Sequence, residues 1–233
     1  MKKMLVLAMT MAMVLLAAAG VCETLRVGME CNYAPYNWTQ SDASENAVAI
    51  AAGGYADGYD VRIAKIIADK LGMDLEIVKT EWDGLTPALL SGNIDVIIAG
   101  MSPTAERKMT IDFTDSYYDT ELTVVVRKDS AFASAKNLAD LAGAKITGQM
   151  STFHYDMIDQ IEGAVKMPAM ETFPTMIVAV SSGAIDGYVA DRPGVADLTD
   201  PKGGIEFRHL NFRYPDGEYD VLRDISFTIA PGE

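Results

Sequence analysis

Gly92-Asn93-Ile94-Asp95-Val96-Ile97-Ile98-Ala99-Gly100-Met101-Ser102-Pro103-Thr104-Ala105-Glu106-Arg107 is the stretch that decides the fold of this 233-residue chain. The apolar run after Gly92 suits a short strand buried on both faces of a parallel sheet. Ala99-Gly100 removes side-chain bulk, so backbone N–H groups there can approach a ligand. Ser102-Pro103 predicts a helix start, with serine as N-cap and proline in the first position. Arg107, about one turn later, offers a planar fork that matches a carboxylate. Together these features describe a seat for a small anion. The competing reading is an ordinary strand-to-helix connection with a surface arginine.

Upstream, residues 25–29 predict an opening strand, followed by the aromatic loop Glu30-Cys31-Asn32-Tyr33-Ala34-Pro35-Tyr36-Asn37-Trp38 and an irregular excursion over 39–58. Residues 60–71 predict an amphipathic helix with Ile63, Ile66, Ile67 and Leu71 on one face, Asp60 as cap and Gly72 as stop. A strand at 75–78 follows, then a short helix capped by Asp83 and stopped by Gly92. Downstream, the β-branched run 120–126 predicts a strand suited to cross between two lobes. The alternation then restarts: a short helix at 137–141, a strand at 145–147, a helix over 151–161 capped by Ser151, a helix opening at Thr172-Phe173-Pro174 and a strand at 184–189. This is the pattern of a parallel α/β sheet. Ser91-Gly92-Asn93-Ile94-Asp95 also recurs as Ser182-Gly183-Ala184-Ile185-Asp186. Two α/β units are therefore expected to aim strand ends, at Ala99-Gly100 and Ala190-Asp191, into one cleft. Chance similarity of a helix stop and a strand start is the alternative.

Composition narrows the function. With 49% apolar and 22% charged residues the chain is an ordinary globular one, long enough for one large or two small domains. A formal net charge of −14 argues against nucleic acid as partner. Residues 1–22 have a positive start, an apolar middle and a small-residue end, as an export signal does. Cys22 lies where a lipoprotein would carry its lipid, although Val21 departs from that pattern. Cys31 would then be left alone, so no disulfide framework is expected. Metal-ligand spacing is absent and His154 and His209 are far apart, so no metal or cofactor is expected either.

Several motifs, in order and spacing, carry a resemblance: Tyr33-Ala34-Pro35-Tyr36, Gly58-Tyr59-Asp60-Val61, Glu81-Trp82-Asp83-Gly84-Leu85, Gly92-Asn93-Ile94-Asp95 with Met101-Ser102-Pro103-Thr104-Ala105-Glu106-Arg107, Ile111-Asp112-Phe113-Thr114 and Gly187-Tyr188-Val189-Ala190-Asp191. Over about residues 25–200 the chain resembles the bacterial extracellular solute-binding proteins of family 3, the polar amino-acid receptors of ABC importers. The resemblance implies an α/β, two-lobed periplasmic-binding-protein-like type II fold, with lobe 1 over 23–119 and an incomplete lobe 2 over 120–203. It implies a non-catalytic, exported protein, periplasmic or at the cell surface, monomeric and serving a membrane permease. By family pattern Arg107 clamps the α-carboxylate, helped by Ser102 and the N–H groups near Gly100. Asp191 meets the α-ammonium, Tyr33 and Trp82 sandwich the side chain, and Ser151 and Thr152 add hydrogen bonds. A zwitterion independently requires one fixed cation and one fixed anion in a mostly apolar cleft. The alternatives are core roles for Tyr33 and Trp82 and a surface pair of Asp191 with Arg192. Many relatives carry a serine pair where Ala99-Gly100 stands, and a glycine where Met150 stands. Glu30 near the mouth favours a cationic ligand such as arginine or lysine, or is merely solvated. An enzyme of dehydratase type on the same scaffold, which would need a general acid in the cleft, is the less favoured alternative.

Residues 204–233 depart from that family and resemble the opening hairpin of an ABC transporter ATPase domain. Alternation over 205–213 and 221–229 predicts two strands around Pro215-Asp216-Gly217, and Tyr214 would be the adenine-stacking aromatic of that family. The chain ends before a phosphate loop and contains no G-x-x-x-x-G-K-S/T, so ATP hydrolysis is not expected. A fused or truncated transporter fragment without activity is the other reading. Without the returning segment of its relatives, lobe 1 is expected to expose apolar helix faces and to be less stable or aggregation-prone.

Overall fold

The computed structural model describes residues 23–192 and the strands Ile205–Phe212 and Leu222–Ile229. The expected export signal, Cys22, Tyr214 and the turn at 215–217 lie outside the described residues. Val27 and Met29 are fully buried, which makes β1 (Thr24–Met29) the centre of the first sheet. After it, β2 (Asn32–Tyr33), β3 (Asn37–Gln40), β4 (Val48–Ala49) and β5 (Tyr55–Asp57) form an antiparallel sheet in the order β2-β3-β5-β4. The expected irregular excursion over 39–58 is therefore corrected. Strands of two to four residues are too short to show alternation, and cross-strand pairing holds them.

Helix α1 (Tyr59–Leu71) starts from Gly58, not from a cap by Asp60. Gly58 has φ 130°, and a Cβ there would stand 2.3 Å from the Tyr36 carbonyl oxygen, so the tight entry requires glycine. Asp60 is turned inward and buried. The helix ends, as expected, at Gly72 in the left-handed conformation. Strand β6 (Asp74–Lys79) pairs with β1 in parallel along its length. A 3-10 turn, Trp82–Gly84, leads into α2 (Leu85–Leu90), whose N-cap position is Gly84 and not Asp83. Strand β7 (Val96–Ile97) completes the order β6-β1-β7. Its two residues are only half-buried; Ile94 and Ile98 on either side are the buried ones.

The second sheet repeats this plan. Strand β8 (Leu122–Val126) enters it, and a 3-10 turn at Leu138–Leu141 is held by a capping box between Asn137 and Asp140. Strand β9 (Lys145–Thr147) is followed by α3 (Phe153–Asp156) and a 3-10 turn, Met157–Gln160. The single helix expected over 151–161 is thus broken, and its cap position is Thr152. Ser151 instead adopts a positive φ of 58°. Strand β10 (Val165–Lys166), helix α4 (Phe173–Ser181), N-capped by the Thr172 hydroxyl as expected, and β11 (Gly187–Asp191) complete the lobe. The order is β10-β9-β11-β8, with β8 alone antiparallel. The three parallel strands thus run 2-1-3 in both lobes.

The sequence echo is a structural one. Gly92 and Gly183 both take positive φ, 71° and 77°. Their amides accept the same role, donating to the carbonyls of Leu89 and Val180, and the next amides donate to Ala88 and Ala179. Ile94 and Ile185 are buried. Asp95 then donates its N–H to the Arg26 carbonyl while its carboxylate accepts the Arg26 N–H, and Asp186 does the same with Lys145, all four bonds at 2.8 Å. Each aspartate clips the incoming strand to the central one.

The chain enters and leaves the second sheet side by side: Thr120 Oγ1 donates to the Arg192 carbonyl and the Arg192 N–H to the Glu121 carbonyl, each at 2.7 Å. One core cluster joins the sheets, packing Tyr33 and Tyr36 against Phe173, Met176, Ile185 and Tyr188. β12 (Ile205–Phe212) and β13 (Leu222–Ile229) pair antiparallel, with irregular register, as a two-stranded sheet of their own. The two strands expected there are present.

Candidate ligand-binding cleft

Gly100 lies just past β7 with φ 62°. Its N–H donates to the Tyr117 hydroxyl at 3.1 Å, so this amide is already taken, and the expectation of a free N–H there is corrected. No helix starts at Ser102-Pro103; the chain stays irregular until a 3-10 turn at Arg107–Met109. The helix-end part of the predicted anion seat is therefore absent. Arg107 is held another way. Its Nη1 donates to the Ser102 carbonyl at 3.0 Å, its backbone N–H donates to Thr104 Oγ1 at 3.3 Å, and its guanidinium sits 5.2 Å from the centre of the Trp82 ring. Burial pulls the Arg107 pKa down, but arginine keeps its charge at any working pH. A fixed cation thus faces the seam between the sheets.

Trp82 itself bridges the seam, donating Nε1–H to the Ser151 carbonyl at 3.2 Å. Ser151 is exposed, while Thr152 is buried and donates its hydroxyl to the Gln149 carbonyl at 2.7 Å. On the second sheet Asp191 is buried at the end of β11. The Tyr33 hydroxyl donates to Asp191 Oδ2 at 2.8 Å and accepts the Asp191 N–H at 2.9 Å. Burial first, then the Asp191 charge, pushes the Tyr33 pKa far up, so the phenol stays a donor. Asp191 does not pair with Arg192, which lies 3.7 Å from Glu121 instead. The Tyr33 ring stacks on Phe173, 3.9 Å between centres and 15° between planes. Tyr33 thus packs on Phe173, while Trp82 carries Arg107.

Four side chains at the seam were not legible in the sequence. His154 Nε2 lies 3.2 Å from Asp191 Oδ2, both side chains buried. Gln149 donates to both Glu30 oxygens, at 3.1 and 3.0 Å, across the lobes. Phe173 supplies the stacking partner of Tyr33, and Tyr117 the acceptor for Gly100. The sequence signals were a helix-opening Phe-Pro pair and a pair of crossover tyrosines, neither of which names a partner. Glu30 is buried, and burial raises its pKa. Among the described residues no group of three or more His, Cys, Asp or Glu could hold a metal, and no helix is long and apolar enough to cross a membrane.

Two α/β sheets of one topology, joined by a paired crossover, make a two-lobed fold with Arg107 on one lobe and Asp191 on the other. The chain belongs to the bacterial extracellular solute-binding proteins, family 3, whose model matches residues 25–193. It is similar to the "Probable histidine-binding protein" of Campylobacter jejuni, 33% identical over 169 residues, 72% of this chain and 60% of that protein. Among solved structures it is similar to the ancestral amino acid-binding protein AncCDT-1, a precursor of cyclohexadienyl dehydratase, with a TM-score of 0.61, 33% identity, and coverage of 72% of this chain and 70% of that one. It is also similar to the arginine-bound form of a truncated ArgBP from T. maritima, with a TM-score of 0.61, 36% identity, and coverage of 72% and 74%. The chain spans about 60% of the length of the Campylobacter relative.

Proposed function

We propose that this chain is the extracytoplasmic substrate-binding protein of an ABC importer and takes a polar amino acid between its lobes. One observation carries the reading: Arg107 and Asp191 lie on different lobes, and each is contacted by a side chain that bridges to the other lobe. Trp82 stacks on Arg107 and bonds Ser151, while Tyr33 packs near Gly100 and bonds Asp191. In this reading the α-carboxylate goes to Arg107 with Ser102, and the α-ammonium to Asp191, where it displaces the Tyr33 hydroxyl. Only the closed form makes both contacts, so ligand stabilises closure.

Glu30 refines the reading to a basic amino acid, arginine first. Its buried carboxylate bonds the Gln149 amide and forms no ion pair among the described residues. A ligand cation would satisfy it better than an amide does. The arginine-bound form of ArgBP from T. maritima supports arginine as the ligand. The protein acts without catalysis, as a monomer exported by the segment 1–22, and hands its cargo to a membrane permease. Calorimetry of the mature chain tests the reading. Arginine is expected to bind with glutamine weaker; tighter glutamine binding removes the role of Glu30, and no heat with arginine, lysine, glutamine, histidine or cystine removes the receptor. Incubation with candidate ligands is expected to yield no product.

A further inference from the structure

Asp60 is fully buried with no cation beside it, and no role at the cleft explains why a carboxylate should stand there. Its partners do. Asp60 Oδ1 accepts the Tyr117 hydroxyl at 2.9 Å, and Tyr117 in turn accepts the Gly100 N–H at 3.1 Å. Asp60 Oδ2 accepts Asn37 Nδ2 at 2.7 Å, and Asn37 Oδ1 accepts the Cys31 N–H at 2.8 Å. The chain of bonds thus runs from the loop that carries Glu30 and Tyr33, through the start of α1 and the crossover, to the loop that carries Arg107.

We propose that Asp60 is a positioning residue for ligand binding, acting through Tyr117 to fix the Gly100 turn and, with it, the loop leading to Arg107. The inference rests on the receptor reading for its effect on ligand. Direction of donation is the physical point. An ionised Asp60 can only accept, so the Tyr117 hydrogen points at it and the hydroxyl lone pair is left for Gly100. A protonated Asp60 must itself donate, and of its two neighbours only the Tyr117 oxygen can accept, the Asn37 amide nitrogen being a donor only, so the relay to Gly100 loses its single orientation. The titratable groups that face Asp60 are Tyr117, the adjacent Tyr59, the Cys31 thiol and Asp191 across the cleft.

The test uses the full mature chain in three forms, wild type, Tyr117→Phe and Asp60→Asn, each confirmed folded by circular dichroism. Hydrogen exchange at Gly100 and calorimetry with arginine from pH 5 to 8 are the readouts. Expected are faster exchange at Gly100 in both variants and arginine binding roughly tenfold weaker at pH 7.5, the loss of one charge-assisted bond's worth of order. Wild-type affinity is expected to fall between pH 7 and 5, and this fall to flatten in both variants, which a merely structural Asp60 would not produce. Unchanged exchange and an unchanged pH profile in Tyr117→Phe, which removes only the hydroxyl, overturn the proposal. If Gly100 exchange responds but wild type gives no heat with any amino acid, the positioning chain stands and the receptor reading is what fails.

Discussion

Arg107 holds its charge at the seam by bonding one carbonyl and lying on one indole face, which leaves the rest of its fork for a ligand. Arg107→Lys keeps the charge and loses the bidentate geometry, so amino-acid affinity is expected to drop about 10- to 100-fold, since a hydrogen bond to a charged group is worth about 1.5–3 kcal/mol. Asp191→Asn is expected to cost a similar factor at the ammonium end. Calorimetry that returns the wild-type Kd for either variant contradicts the assignment. Asp60 makes a separate prediction about stability. Burial pushes its pKa from 3.8 up to about 6, so the folded chain binds that proton more tightly than the unfolded one. Its contribution is therefore fully present below pH 3.8 and is lost as pH rises through about 6, by roughly 3 kcal/mol at 1.36 kcal/mol per unit. Urea unfolding is expected to show this decline in wild type relative to Asp60→Asn; parallel pH slopes for the two would refute it. The charge that orders the Gly100 turn thus costs the fold stability at neutral pH.

At the scale of elements, the two aspartate clips are equivalent in geometry but not in strength. Asp95 also receives two guanidinium bonds from Arg26, at 3.0 and 2.6 Å, which Asp186 has no counterpart for in its bonds to Lys145. Replacing either by alanine strands a backbone N–H, a loss of about 1–3 kcal/mol where the group is buried. Asp95→Ala is expected to be the more destabilising of the two in urea unfolding, and the reverse order would be inconsistent with the clips. The repeat that carries these clips was legible as a glycine stop, an isoleucine and an aspartate at fixed spacing, but the role of the aspartates was not. The sheet at 32–57 was not, since its strands are too short for periodicity to register. Nor was the break after Asp156, where α3 gives way to a 3-10 turn. A Cβ at Gly148 would stand 2.8 Å from the Tyr155 backbone, so α3 packs directly on the turn before it. That close approach is a tertiary fact which the local sequence does not display.

Over the whole molecule, Leu90, Met109, Ile177 and Val178 are large apolar side chains left exposed on the described lobes. Of these, Leu90 alone lies on a helix of lobe 1, where uncovered faces were expected; Met109 lies on a 3-10 turn, and Ile177 and Val178 lie on α4 of lobe 2. The mature chain is expected to self-associate on heating through these side chains, and a reversible melt independent of protein concentration would refute this. The strands at 205–229 pair with each other in a separate sheet, so deletion of residues 204–233 is expected to leave arginine affinity unchanged by calorimetry. A large loss would show that the hairpin supports the cleft.

The sequence by itself determined the α/β alternation, the repeated helix stop before each third strand, and the residue types able to hold a zwitterion. Those are local properties: periodicity, glycine conformation and side-chain chemistry act within a few residues. Only the tertiary structure decided who meets whom. Tyr33 reaches Asp191 across 158 positions, and Gln149 reaches Glu30 across 119. The same folding made Gly100 a donor to Tyr117 rather than to a free site. Burial sets those choices, because a polar group removed from water must find its partner wherever packing places one.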